Sequence, residues 1–193
     1  MTNENVRLYP QDRLLDAVLV RFLPKKLHPN HVTVFRIFLI PFVLWYVFFQ
    51  NWSVALPLFL FAAFTDALDG SMARLRKQIT MWGTVVDPIA DKLLIGSVVV
   101  LFVAQEVNTV FALIIVFIEV LIGLSGLIRH KRNTPMIISA NWAGKIKMLF
   151  QVIGVALLLF AKLSGLSLFV PFSIGTLSVA IVFAVVSLLT YSL

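Results

Sequence analysis

The sequence predicts an all-α integral membrane protein: six transmembrane helices preceded by an N-terminal amphipathic surface helix, with both termini cytoplasmic. Three observations lead there. Of 193 residues, 60% are hydrophobic and 13% charged, where a soluble domain has about 45–50% and about 25%. Apolar runs near the ~20 residues that cross a bilayer recur along the chain. Lys+Arg number 16 against 9 Asp+Glu, a net +7, and the basic residues collect between alternate runs. This balance excludes a disordered chain, which needs few apolar residues and many charges. The absence of cysteine excludes a disulfide framework.

Residues 1–30 read as a juxtamembrane segment and 31–193 as one membrane domain. Asp12, Arg13, Asp16 and Arg21 interrupt the apolar stretch 14–23 and fall within half of a helical wheel. That pattern suits a helix lying on the membrane surface, ahead of Pro24-Lys25-Lys26. A shorter, buried seventh segment is the alternative. The spans are expected at 32–49, 54–72, 84–104, 109–128, 146–161 and 168–189. Breakers separate them: Gln50-Asn51, Gln105-Glu106 with Asn108, Asn133-Thr134-Pro135 and Ser164-Gly165. Pro171 falls near the start of the last span, where a missing N–H is harmless. Short connections make neighbouring helices antiparallel. Trp45, Trp52 and Trp142 sit near the expected interfaces, as an aromatic belt does.

Topology follows from the basic residues. Arg7, Arg13, Arg21, Lys25 and Lys26 precede the first span. Arg74, Arg76 and Lys77 lie between the second and third; Arg129, Lys131, Arg132, Lys145 and Lys147 lie between the fourth and fifth. The opposite side holds only Lys162. A basic face of this kind attracts anionic lipid head groups. Its scatter over loops at a membrane argues against nucleic-acid binding.

Four of the acids fall within residues 66–91: Asp66, Asp69, Asp87 and Asp91. A charge inside a membrane helix costs about 2.5–3.5 kcal/mol by insertion scales, so such residues point to function. Asp66, Asp69, Gly70, Ala73 and Arg74 share one helix face, and so do Gly83, Asp87 and Asp91. A polar turn joins the two helices, so the two faces can meet at their cytoplasmic ends. Carboxylates brought together repel, so either some stay protonated or a cation sits among them. Oxygen ligands without His or Cys suit Mg²⁺, or Mn²⁺, rather than zinc. Four acids suffice for two ions, and a dimetal site commonly clamps a phosphate under in-line attack. Small residues on the same faces leave room for a ligand, and Arg74 offers a fork for a phosphate oxygen. The plain alternative pairs the acids with Arg74, Arg76, Lys77 and Lys92. It accounts for one or two acids, not for four on converging faces.

Asp66-x2-Asp69-Gly70-x2-Ala73-Arg74-x8-Gly83-x3-Asp87-x3-Asp91 resembles, without a departure, the signature of the CDP-alcohol phosphotransferases. The resemblance implies a membrane enzyme that takes a CDP-linked lipid, usually CDP-diacylglycerol, and a hydroxyl acceptor. It releases CMP and forms a phosphodiester. It implies that Asp66, Asp69, Asp87 and Asp91 hold the metal ions and that Asp91 is the general base. It also implies that Gly70, Ala73, Arg74 and Gly83 line the cytidine and diphosphate site, that the enzyme is a homodimer, and that the active site faces the cytoplasm at the cytoplasmic membrane.

Further stretches resemble the branch of that family that uses glycerol 3-phosphate. These are Pro29-Asn30-x2-Thr33-x2-Arg36, Thr65-Asp66-x-Leu68-Asp69-Gly70, Asp87-Pro88-x-Ala90-Asp91-Lys92-Leu93, and Gly144-Lys145-x-Lys147 with Gln151. One pair departs: Ile118-Glu119 stands where that branch has Arg before the acid. Inositol phosphate or another polar alcohol is the alternative acceptor. Arg36, Arg129, Lys145 and Lys147 are candidates for an acceptor phosphate. Asn30 and Thr33 could reach the nucleotide, although Asn30 equally suits a helix cap. Glu119 is expected to pair with Arg129 or another cation. A cation transporter is the alternative of another class, but the acids cluster at one end of two helices and no repeat of broken helices appears.

Overall fold

The computed structural model describes residues 20, 24, 28–76, 78, 80–131 and 142–192, apart from the side chains of 81, 82, 84, 85, 126–131, 191 and 192. Except for Val20, the expected surface helix lies outside the described residues. The described residues are all-helical, without a strand. Six long helices follow in order: α1 Pro29–Phe48, α2 Trp52–Leu75, α3 Met81–Val98, α4 Thr109–Lys131, α5 Trp142–Ser164 and α6 Phe169–Ser192. Each covers most of an expected span. Helices run past the ends of the apolar stretches because a polar turn at a membrane surface keeps its helical hydrogen bonds.

Four helices, Pro29–Phe48, Trp52–Leu75, Trp142–Ser164 and Phe169–Thr190, are long and apolar enough to cross a membrane. Within α4, the stretch Thr109–Ser125 is apolar as well. In α3, Asp87, Asp91 and Lys92 dilute the hydropathy of an 18-residue helix. This is a membrane protein. Pro41, Pro57 and Pro88 sit inside α1, α2 and α3, positions that membrane helices tolerate when freed carbonyls find other partners.

The backbone divides into two compact units. One comprises Met1–Val43 with Pro57–Leu94, the other Leu44–Leu56 with Ile95–Leu193. In the first, Val32 of α1 packs with Val20 and with Met72 of α2, and Leu68 and Leu75 close over them. The Arg76 guanidinium donates to the carbonyls of Val20 at 3.2 Å and Pro24 at 3.1 Å, fastening the chain ahead of α1 to the end of α2. Phe38 and Phe42 on α1 are 67% and 57% exposed, the face that a helix in lipid presents.

In the second unit, α1 ends at Gln50, whose φ of 55° is left-handed. The N–H of Asn51 reaches the carbonyl of Tyr46 and that of Gln50 reaches Val47, which satisfies the last carbonyls of the helix. Trp52 packs on Phe102 with ring centroids 5.1 Å apart. Phe102 belongs to a π-helical stretch, Val99–Val103, that continues α3. Helices α5 and α6 approach closely. A Cβ on Gly154 would lie 2.6 Å from Cγ of Leu177, so only glycine permits this approach. The Ser173 hydroxyl donates to the Gly154 carbonyl at 2.7 Å, fixing the contact. Lys162 of α5 pairs with Glu106.

Candidate active site

The first unit gathers all four motif acids. Asp66 and Asp69 stand one turn apart on α2, and Asp87 and Asp91 one turn apart on α3. What joins them is α1. The Thr33 hydroxyl lies 2.9 Å from Oδ2 of Asp69 and 2.8 Å from Oδ1 of Asp87, and its one proton serves one carboxylate at a time. Arg36, one turn further along α1, is fully buried. Its Nη1 donates to Oδ1 of Asp66 at 2.6 Å and to Asp91, and its Nη2 donates to Oδ2 of Asp69 at 3.2 Å. Two residues of α1 thus touch every acid of the motif. Asp69 is buried, while Asp66 and Asp91 keep about a quarter of their side chains exposed.

The start of α3 is shaped by polar contacts. Thr80 caps it: the Gly83 N–H donates to the Thr80 hydroxyl at 3.0 Å. The same hydroxyl donates to Oδ1 of Asn30 at 3.0 Å. The Oδ1 of Asn30 thereby ties α1 to the start of α3. A Cβ on Gly83 would lie 3.1 Å from the Thr80 hydroxyl, 3.2 Å from Asn30 Oδ1 and 3.5 Å from Asp87 Oδ2. Glycine here leaves space against the backbone beside Asp87. Arg74 lies along Gly70, its guanidinium 3.4 Å from where a Cβ would stand, and contacts Ser71 at 3.4 Å. Ala73 is half-buried on the same helix.

The acids' partner is the point that sequence reasoning missed. Arg74, Arg76, Lys77 and Lys92 were the cations close by in the chain, yet Arg36, 30 to 55 residues away, holds three of the four acids. The Pro-Asn-x2-Thr-x2-Arg pattern flagged Arg36, but for a phosphate. The other acceptor candidates belong to the second unit or lie beyond description. Lys147 donates to Oε1 of Glu119 at 2.5 Å, and Gln151 donates to the same oxygen at 2.9 Å. Glu119 thus has the cation expected for a buried intramembrane acid. Lys145 is exposed on the first turn of α5. Arg129 falls in the last turn of α4, with its side chain outside the described residues.

A family model of the CDP-alcohol phosphatidyltransferases matches residues 26–190, nearly the whole chain. The chain belongs to the CDP-alcohol phosphatidyltransferase family. Relatives match over much of their length. The CDP-diacylglycerol–glycerol-3-phosphate 3-phosphatidyltransferase of Bacillus subtilis is 33% identical over 174 residues, 82% of this chain and 90% of that one. That of Escherichia coli K12 is 31% identical over 160 residues, covering 77% and 88%. That of Pseudomonas fluorescens is 46% identical over 83 residues, 42% of this chain and 43% of that one. The CDP-alcohol phosphatidyltransferase described here is therefore an enzyme, and its family generally depends on a divalent metal.

The donor set suits such a metal. All four acids offer oxygen only, the ligand that hard cations take. Three of them already converge on one cation, the Arg36 guanidinium. Among the described residues, no three Asp, Glu or His side chains stand as a ready-made ion site. One oxygen of each acid faces Thr33 or Arg36 of α1.

Proposed function

We propose that this phosphatidyltransferase moves a phosphatidyl group from CDP-diacylglycerol to the hydroxyl of sn-glycerol 3-phosphate, releasing CMP and forming phosphatidylglycerophosphate. The observation that carries the reading is the gathering of Asp66, Asp69, Asp87 and Asp91 in one unit around Thr33 and Arg36. The names of the Bacillus and Escherichia relatives support glycerol 3-phosphate as acceptor.

Asp66, Asp69, Asp87 and Asp91 would hold two Mg²⁺ ions, or Mn²⁺ in their place. Bound ions supply positive charge that neutralises the diphosphate and stabilises departing CMP. Asp91 takes the proton of the acceptor hydroxyl. The freed oxygen bonds to the β-phosphorus, the bond from that phosphorus to the bridging oxygen breaks, and the electron pair leaves with CMP. Gly70, Ala73, Arg74, Gly83, Asn30 and Thr33 line the CDP portion: the glycines admit it to the backbone, and the Arg74 fork suits a phosphate oxygen. Arg36, Arg129, Lys145 and Lys147 are the candidates for the acceptor phosphate. Holding two substrates in line supplies a large part of the rate, because a lipid and a polar alcohol must meet at one interface.

The wider reading keeps six spans, a surface helix within the juxtamembrane segment 1–30, the membrane domain 31–193, both termini and the active site on the cytoplasmic side of the cytoplasmic membrane, and a homodimer. Purified protein offered CDP-diacylglycerol with a panel of labelled acceptors tests the assignment. Product with glycerol 3-phosphate supports it. Product with inositol phosphate alone rejects the acceptor, and no CMP with any acceptor rejects the reaction.

A further inference from the structure

We propose that Thr33 and Arg36 are a positioning clamp for the four carboxylates, and that Arg36 is a built-in cation with which a divalent ion must compete. The inference rests on the transferase reading only in taking the carboxylates to bind a divalent ion.

Three features of the site lead to it. The first is coverage. Thr33 touches Asp69 and Asp87, and Arg36 touches Asp66, Asp69 and Asp91, so one turn of α1 reaches both helices that carry the motif. The second is the way Arg36 is buried. A fully buried guanidinium needs partners for all its N–H groups, and here the terminal nitrogens serve carboxylates while Nε, also buried, has no partner among the described residues. Arg36 makes three charge-assisted hydrogen bonds and leaves its Nε–H unpaired among the described residues. A divalent ion, with twice the charge, competes for the same oxygens. The third is the choice of oxygens. Asp66 Oδ1, Asp69 Oδ2 and an oxygen of Asp91 face the guanidinium. A lone pair given to Arg36 is withheld from an ion, and a guanidinium at this distance repels one. Opposite charge keeps the carboxylates from spreading apart, so the clamp prearranges them and weakens their grip on metal at once. Coupling of this sort is reciprocal: whatever Arg36 costs the ion, the ion costs the hold on Arg36.

Mn²⁺ binding without substrate, followed by electron paramagnetic resonance on detergent-purified protein, tests the clamp. Relative to the unaltered protein, Arg36→Gln binds Mn²⁺ at least ~5-fold more tightly, melts at lower temperature in EDTA, and gains more from added Mn²⁺. Arg36→Lys, which keeps the charge and loses the fork, falls between the two. Thr33→Val removes a hydrogen bond but no charge, and does not tighten binding. Equal or weaker Mn²⁺ binding by Arg36→Gln overturns the proposal, as does tightening by Thr33→Val to the same degree. Should Arg36→Gln fail to fold, weaker binding by Arg36→Lys than by the unaltered protein overturns it too, and binding tighter than the unaltered protein upholds it. CMP release by the unaltered protein is assayed alongside. Its failure with the tightening intact sinks the transferase reading alone, and normal release without tightening sinks the clamp alone.

Discussion

Asp91 and Asp87 share one face of α3, yet their surroundings differ: Asp91 meets the Arg36 guanidinium and Asp87 the Thr33 hydroxyl. The account gives Asp91 both ion and proton, so Asp91→Asn lowers CMP release by at least ~10²-fold, the smaller end of what a general base contributes. Asp87→Asn abolishes release as well. Near-normal turnover by either purified variant contradicts these roles. Gly83 offers a subtler test. An added Cβ would press on Thr80 and Asn30 at 3.1 and 3.2 Å and lie beside Asp87. Gly83→Ala therefore displaces the cap that starts α3, and with it Asp87. We expect kcat/KM for the CDP-lipid to fall about tenfold by misplacement, with little change in melting temperature. A large stability loss with kcat/KM preserved in the remaining folded enzyme contradicts it. At this scale the sequence was informative where chemistry is local. Four acids on two faces, with Gly and Ala between, state a purpose through their spacing alone. The role of Arg36 did not follow, because its partners lie 30 to 55 residues away and an arginine suits a phosphate as well as a carboxylate.

At the scale of elements, hydropathy located every long helix among the described residues but not its contacts. The expected spans 84–104 and 146–161 correspond to α3 with its π-helical continuation and to α5. Nothing in the apolar run 99–103 announces a π turn, since the same residues suit an ordinary helix. Gly154 was equally silent: a glycine inside an apolar run reads as a packing residue or a weak point, and only the neighbouring helix decides. Here Leu177 occupies the space. Gly154→Ala is expected to destabilise the α5–α6 pair by about 1–3 kcal/mol, the usual cost of overpacking, and Leu177→Ala in the same chain to restore part of it. Thermal unfolding in detergent measures both. Additive losses in the double variant contradict the contact. The pair Glu119–Lys147, joined by Gln151, shows the opposite case: an acid in an apolar helix predicts a cationic partner from charge alone, and the partner is found on the next helix.

For the whole molecule, composition fixed the class, and the distribution of charge fixed the expected topology. Among the described residues, four helices are long and apolar enough to cross a membrane. The residues that lower the hydropathy of α3 include Asp87 and Asp91. The proposed six spans, with the N-terminal basic cluster inside, would place the C-terminus inside. A reporter fused after Leu193 is expected to signal from the cytoplasm, and an external signal contradicts the topology. The central claim is the reaction itself, and CMP release by purified protein in detergent tests it most directly. CDP-diacylglycerol with glycerol 3-phosphate and Mg²⁺ is expected to yield CMP and phosphatidylglycerophosphate in equal amounts. EDTA, omission of the acceptor or Asp91→Asn each stops the release. CMP release that ignores the acceptor, or its absence with all three components present, contradicts the account.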